Sequence, residues 1–257
     1  MSLTLRQICL VARKLQPAVE DLKAVLGIEV CYVDPGVGKF GLENALMAVD
    51  TNFIEVVAPI AEKTAADRYL DRRRGEGGYM VITQADNAEI QAACRGRAEK
   101  MGIRVAWERQ HETGRTMQLH PADTGGSFFE IDSDESNDPR GNWAAAGGKT
   151  WMKHSRRDVV EVIKGAELQS DDPARLAERW SAIAGIGLQK NASGLLEMPL
   201  NKAMIRFVEA TDGRGEGLGG IDIKAADKMR LLKAADERGL KVSEAQVMIC
   251  GLRFNLV

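Results

Sequence analysis

The chain has 257 residues, 44% of them hydrophobic, and a formal net charge of −2. That length accommodates one large domain or two of ordinary size, and the near-neutral balance gives no reason to expect nucleic acid or an anionic membrane as a partner. With no apolar run of about 18 residues, no hydrophobic leader and four scattered cysteines (Cys9, Cys31, Cys94, Cys250) lacking C-x-x-C spacing, a reduced, cytoplasmic protein without a membrane span or zinc motif is expected.

In chain order, residues 5–11 form an apolar run of strand length. Pro17 suits a first helical turn, and Val19, Leu22, Val25 and Leu26 give residues 18–26 a helical period. Three strands are predicted next, at 28–33, 40–49 and 52–58, separated by the turn formers Asp34-Pro35-Gly36 and Asp50-Thr51-Asn52. A second strand–helix–strands unit begins at 78–83. Asp86 or Asn87 caps its helix at 88–101, and strands follow at 103–107, 116–120 and 127–132, with a turn at 121–126. Residues 134–158 break the pattern and read as a linker with a short helix near Trp151. A third unit starts near Val159. Asp171-Asp172-Pro173 opens its helix, 174–184, and strands are predicted at 187–190, 195–198 and 203–209. A fourth has a strand at 219–223, a helix at 227–238 and strands at 240–243 and 245–257. Arg72-Arg73-Arg74 and Arg156-Arg157 read as solvated runs, with a phosphate contact as the alternative. Cys9 and Cys250 are expected in apolar strands, as small buried hydrophobes.

The four units share a glycine just after the helix: Gly27, Gly102, Gly185 and Gly239. Each is expected in the left-handed conformation that ends a helix. In the first two units a glutamate follows at the same interval, Gly27 to Glu55 and Gly102 to Glu130, inside the apolar strands Phe53-Ile54-Glu55-Val56-Val57 and Phe128-Phe129-Glu130-Ile131. Strand alignment puts Arg206 at that position in the third unit and no acid in the fourth.

This repeat, with Leu5-Arg6-Gln7-Ile8, Asn52-Phe53-Ile54-Glu55-Val56-Val57-Ala58-Pro59 and the hairpin His120-Pro121-Ala122-Asp123-Thr124-Gly125-Gly126-Ser127-Phe128-Phe129-Glu130, resembles the vicinal oxygen chelate superfamily. That group includes glyoxalase I, methylmalonyl-CoA epimerase, extradiol dioxygenases and bleomycin-resistance proteins. The resemblance implies an α+β fold of four βαβββ units paired into two glyoxalase-like domains with cupped mixed sheets, at 1–133 and 159–257. It places a site inside the first cup, with metal-ligand positions at Gln7, Glu55, Met80 and Glu130. Histidine usually occupies the first-strand positions, where this chain has Gln7 and Met80. Gln7, Glu55 and Glu130 suit a hard divalent ion and a thioether does not, so the expectation is a weakly held Mg, Mn, Ni or Zn, with no metal as the alternative.

Within that cup, Glu130 and Glu55 are the candidate catalytic carboxylates, since a buried carboxylate needs a partner, a metal or a proton. Asn44, His120, Met80 and Cys9 are candidate substrate contacts. For His120 the competing reading is a turn residue bonded to the backbone, and the tryptophans read as packing. The expected function is a glyoxalase-like lyase, isomerase or epimerase acting beside a carbonyl or vicinal oxygens. The alternative is a metal-free small-molecule binder of the bleomycin-resistance type. A small molecule is the expected partner, and a homodimer the expected assembly. An extradiol dioxygenase is disfavoured, because no histidine lies on the relevant strands. The second half, without matching acids, is expected to be structural.

Overall fold

The structure is a computed structural model describing residues 2–257. The first unit comprises β1 (Leu3–Val11), α1 (Leu15–Leu26), β2 (Val30–Tyr32), β3 (Leu42–Val49) and β4 (Asn52–Pro59), followed by a helix α2 (Ala65–Arg72). The second comprises β5 (Gly77–Ala85), α3 (Ala88–Lys100), β6 (Val105–His111), β7 (Gly114–Leu119), a single-turn helix α4 (Pro121–Thr124) and β8 (Phe128–Asp134). The third has β9 (Val160–Ser170), α5 (Pro173–Ala184), β10 (Gln189–Lys190), β11 (Leu196–Leu200) and β12 (Ala203–Glu209). The fourth has β13 (Gly217–Ala225), α6 (Lys228–Glu237), β14 (Lys241–Ser243), β15 (Gln246–Ile249) and β16 (Leu252–Leu256). Two eight-stranded mixed sheets result, ordered β2-β3-β4-β1-β5-β8-β7-β6 and β10-β11-β12-β9-β13-β16-β15-β14. This is the expected α+β architecture of paired βαβββ units.

All four helix-ending glycines are left-handed, with φ of 67° at Gly27, 71° at Gly102, 68° at Gly185 and 68° at Gly239. In every unit the last strand returns beside the first in parallel, pairing β4 with β1, β8 with β5, β12 with β9 and β16 with β13. That closure brings the glutamate-bearing strand against the unit's opening strand.

By contact density the described residues divide into two compact units that cut across the sheets: residues 2–6, 79–138 and 165–219, and residues 7–78, 139–164 and 220–257. In the former, α3 packs on α5, the Phe129 ring stacks on Trp180 at 4.1 Å, and the Trp180 indole donates to the Thr124 carbonyl at 2.8 Å. In the latter, α1 packs on α6, with the Arg238 guanidinium 2.6 Å from Asp21. The apolar stripe of α1 (Ala18, Val19, Leu22, Val25, Leu26) is buried, each large side chain contributing about 1.5–3 kcal/mol.

Several elements differ from expectation. Helix α2 was not foreseen, although Thr64 and Asp67 make a complete capping box in front of it. Arg73, expected in solvent with its neighbours, is buried at 4% exposure. Residues 245–257 form a hairpin, not one strand. Cys250 therefore sits in its turn, with φ 47°, and not in a strand. The turn at 121–126 contains α4. Residues 28–29 and 33 lie outside the short β2, and Phe40 belongs to a 3-10 turn, Pro35–Phe40.

Candidate functional site

Strand register sets which side chains share a face. Cys9 on β1 lies opposite Glu55 on β4, and Leu46 on β3 lies opposite Glu55 from the other side. Gln7, Cys9, Val11, Phe53, Glu55 and Val57 thus share one face. Gln7, Cys9, Asn44 and Glu55 come together there. The Gln7 amide donates to Glu55 Oε2 at 2.7 Å and the Asn44 amide to Oε1 at 2.6 Å. The Asp34 backbone N–H donates to Asn44 Oδ1 at 2.9 Å. Burial pushes the Glu55 carboxyl up from its ordinary value, against hydrogen bonds from Asn44, Cys9 and Gln7 that favour the charged form.

The residues expected to form a linker cover this face. Trp143 donates its indole N–H to Gln7 Oε1 at 3.2 Å and stacks on Phe53 at 6.5 Å with an interplanar angle of 12°. Trp151 meets the same ring edge-on at 5.1 Å. Both tryptophans are buried, as packing residues should be.

In the second repeat, Ile82 and Gln118 lie opposite Glu130, and Met80 opposite Phe128. Met80 and Glu130 are therefore on adjacent strands, one pair apart on one face. Gln118 donates to Glu130 Oε2 at 2.6 Å. Asp132, two residues along the same face, was not anticipated. Burial, followed by the neighbouring Glu130 charge, raises its carboxyl well above the usual carboxylate range. Asp132 Oδ1 and Gln84 Oε1 are buried and have no hydrogen-bond partner among the described residues. The Arg6 guanidinium is fully buried near Asp134, Asp138 and Asp132, and burial lowers it to about 10. His120 does what the turn reading required: its Nδ1 accepts from the Ala122 N–H at 3.2 Å and caps α4.

The atoms at the implied metal positions do not fit a metal as they stand. Both Glu55 oxygens accept amide N–H groups, and Gln7 Oε1 accepts the Trp143 indole. Met80 offers a soft thioether, and Glu130 Oε2 is taken by Gln118. Among the described residues no group of three or more His, Cys, Asp or Glu is placed to hold a metal ion.

The later repeats carry a matching arrangement, with Arg206 where strand alignment put it. Arg206 occupies the position of Glu55, the third residue past its hairpin pair, and Asn255 does so in the fourth repeat. Opposite them on the opening strands stand Glu167 and Asp222. Arg206 pairs with Glu167 at 2.8 Å, and the Asn255 amide donates to Asp222 Oδ1 at 2.9 Å. Here the acid sits on the neighbouring strand.

Among solved structures, the chain is similar to a hypothetical protein from Staphylococcus aureus, with a TM-score of 0.63 and 14% identity over 100% of this chain and 99% of that one. It is also similar to a mutant of 4-hydroxymandelate synthase from Streptomyces coelicolor, with a TM-score of 0.67 and 11% identity over 93% of this chain and 76% of that one. Methylmalonyl-CoA epimerase from Mycobacterium tuberculosis shares 25% identity over 51% of this chain and 87% of its own, with a TM-score of 0.43. No curated protein matches. The glyoxalase-like domain family matches residues 8–184, and with its βαβββ units closed in parallel and its paired eight-stranded sheets, the chain belongs to that family.

Proposed function

We propose that the protein is a small-molecule enzyme that moves a proton beside a carbonyl, in the manner of a lyase, isomerase or epimerase, with Glu130 and Asp132 as its acid–base pair. The observation that carries this reading is the placement of two carboxyls two residues apart on one buried sheet face, with Asp132 raised well above the usual carboxylate range. In such a pair the charged Glu130 removes a proton from carbon, and the neutral Asp132 donates one to the developing oxygen or back to carbon. Gln118 fixes the Glu130 carboxylate by its 2.6 Å bond. The unpartnered oxygens of Asp132 and Gln84 offer acceptors to a substrate hydroxyl.

Exchange of carbon-bound protons in deuterium oxide, followed by NMR, tests this on a panel of 2-oxo acids, hydroxy ketones and branched thioesters. At least one member should exchange with the native protein, and Glu130→Gln should slow it about a hundredfold or more. The exchange rate should fall as pH rises through the raised Asp132 value, and Asp132→Asn should remove that limb. Equal rates for the native protein and Glu130→Gln would sink the proposal.

The second reading is a metal-free binder of small molecules. It is favoured by the Gln7–Glu55–Asn44 network, whose bonds are already satisfied without chemistry. Ligand-induced shifts without exchange across the panel would support it.

A further inference from the structure

Helix α3 leaves space where it crosses the hairpin of β6 and β7. Its buried residues are Gln91, Cys94 and Ala98, small or polar, whereas α1 buries Val19, Leu22, Val25 and Leu26. Between helix and hairpin lies a cavity of about 410 Å³, lined by Gln91, Ala92 and Arg95 from α3 and by Glu108, Arg115 and Met117 from the hairpin. That volume suits a small molecule. By strand alternation Arg115 and Met117 point to the face opposite Gln118, and so away from Glu130.

The floor of this cavity is fixed and its rim is charged. Gln91 is buried, and its amide donates to the Ile131 carbonyl at 2.7 Å and the Arg115 carbonyl at 3.0 Å. Its Oε1 accepts the Ser133 hydroxyl at 3.1 Å. Met117, 1% exposed, gives the floor an apolar patch. Around it stand three guanidinium groups, Arg95, Arg109 and Arg115, against one carboxylate, Glu108. Arg95 is tied to Glu108 and to Glu99. The side chains of Arg109 and Arg115 make no hydrogen bond or ion pair among the described residues. Beyond Arg115 the groove continues into a second cavity of about 340 Å³, whose carboxylates are Asp86, Glu112, Asp134 and Glu135.

We propose that the cavity between α3 and the β6–β7 hairpin binds the phosphate monoester of a small apolar or aromatic group. Such a phosphate carries nearly two charges at neutral pH and three acceptor oxygens. It matches guanidinium groups that share one cavity and outnumber its carboxylates, where a single carboxylate would engage only one of them. Met117 and Ala92 receive the apolar part. The acids beyond Arg115 repel an anion and hold the phosphate at the arginine end, so the ligand is a compact monoester and not a polyphosphate chain. Arg95 exchanges Glu108 for the ligand, which makes Glu108 a competing anion built into the rim.

Phenyl phosphate, benzoate and inorganic phosphate are the probes, titrated by calorimetry. Phenyl phosphate should bind with a Kd below about 1 mM, and about tenfold more tightly than either of the others. Ala92→Leu puts a good helix former at an exposed position. It fills the cavity without changing a charge, and should weaken phenyl phosphate about tenfold or more. Arg115→Gln should weaken it to a similar degree. Glu108→Gln should tighten binding severalfold by releasing Arg95, and Glu209→Gln, the same charge change on β12 of the other sheet, should leave it unaltered. No binding of phenyl phosphate, equal binding of benzoate, native affinity in Ala92→Leu, or equal gains in Glu108→Gln and Glu209→Gln would each overturn the proposal. None of these outcomes involves proton exchange at Glu130, so either reading can fail alone.

Discussion

At the scale of single residues, the buried carboxyls govern how the fold responds to pH. Glu55 and Asp132 both have raised folded values, with burial as the leading cause. A raised acid carries no penalty below its unfolded value, where both states are protonated, and loses stability as pH rises from there towards its folded value. Urea midpoints should therefore fall as pH rises from about 4 towards neutrality. Glu55→Gln should flatten part of that slope and Asp132→Asn another part. A slope unchanged in both variants would show that neither group holds a proton in the fold. The two glutamates were legible because each interrupts an apolar strand at a fixed interval from a glycine. Asp132, Glu167 and Asp222 were not, since their significance depends on which residue lies opposite. That register arises from contacts between strands up to 48 residues apart, such as Asp132 with Gln84.

Among elements, the helix ends were the best-read feature, because a left-handed residue leaves a local chemical mark and glycine is the residue that fits it. The four glycines nevertheless differ in surroundings. A Cβ on Gly102 would meet nothing within 4 Å, whereas one on Gly27 would lie 2.5 Å from Val159 Cγ2. Gly102→Ala should cost about 1–2 kcal/mol, the backbone strain alone. Gly27→Ala should cost more, by the added overpacking of about 1–3 kcal/mol. Chemical denaturation of the two variants measures the difference, and equal losses would contradict the contact at Val159. Helix α2 was missed for a complementary reason. Its start carries a capping box, and Ala66, Tyr69 and Leu70 fall at helical spacing on its buried face, but eight residues are too few for that period to stand out in the sequence. Residues 141–151 read as a linker because Ala144-Ala145-Ala146-Gly147-Gly148 has no period at all. Its place is set by two tryptophans that find Phe53 only in three dimensions.

For the molecule as a whole, the sheets and the compact units tell different stories. Each sheet is made from one half of the sequence, as the repeat pattern implied. The helices outside them pair across the halves: α3 with α5 in one compact unit, α1 with α6 in the other. A fragment of residues 1–133 would expose the faces of α1 and α3 that these partners bury, and would leave Phe129 without Trp180. It should lack the dispersed amide spectrum of a folded domain when expressed alone, and mixing it with residues 134–257 should restore one. A well-dispersed spectrum from the 1–133 fragment by itself would contradict this.

The sheet margins add a last point. Three of the four end strands, β2, β10 and β14, are two or three residues long, too short to template a neighbour. The fourth, Val105–His111, presents seven residues in a row. An open ladder of that length invites a foreign strand to add on. Glu108, Arg109 and His111 set charge and polarity along it, and the Arg95 side chain reaches over from α3 to hold Glu108. Solubility at high concentration thus rests on a handful of polar side chains along a single ribbon.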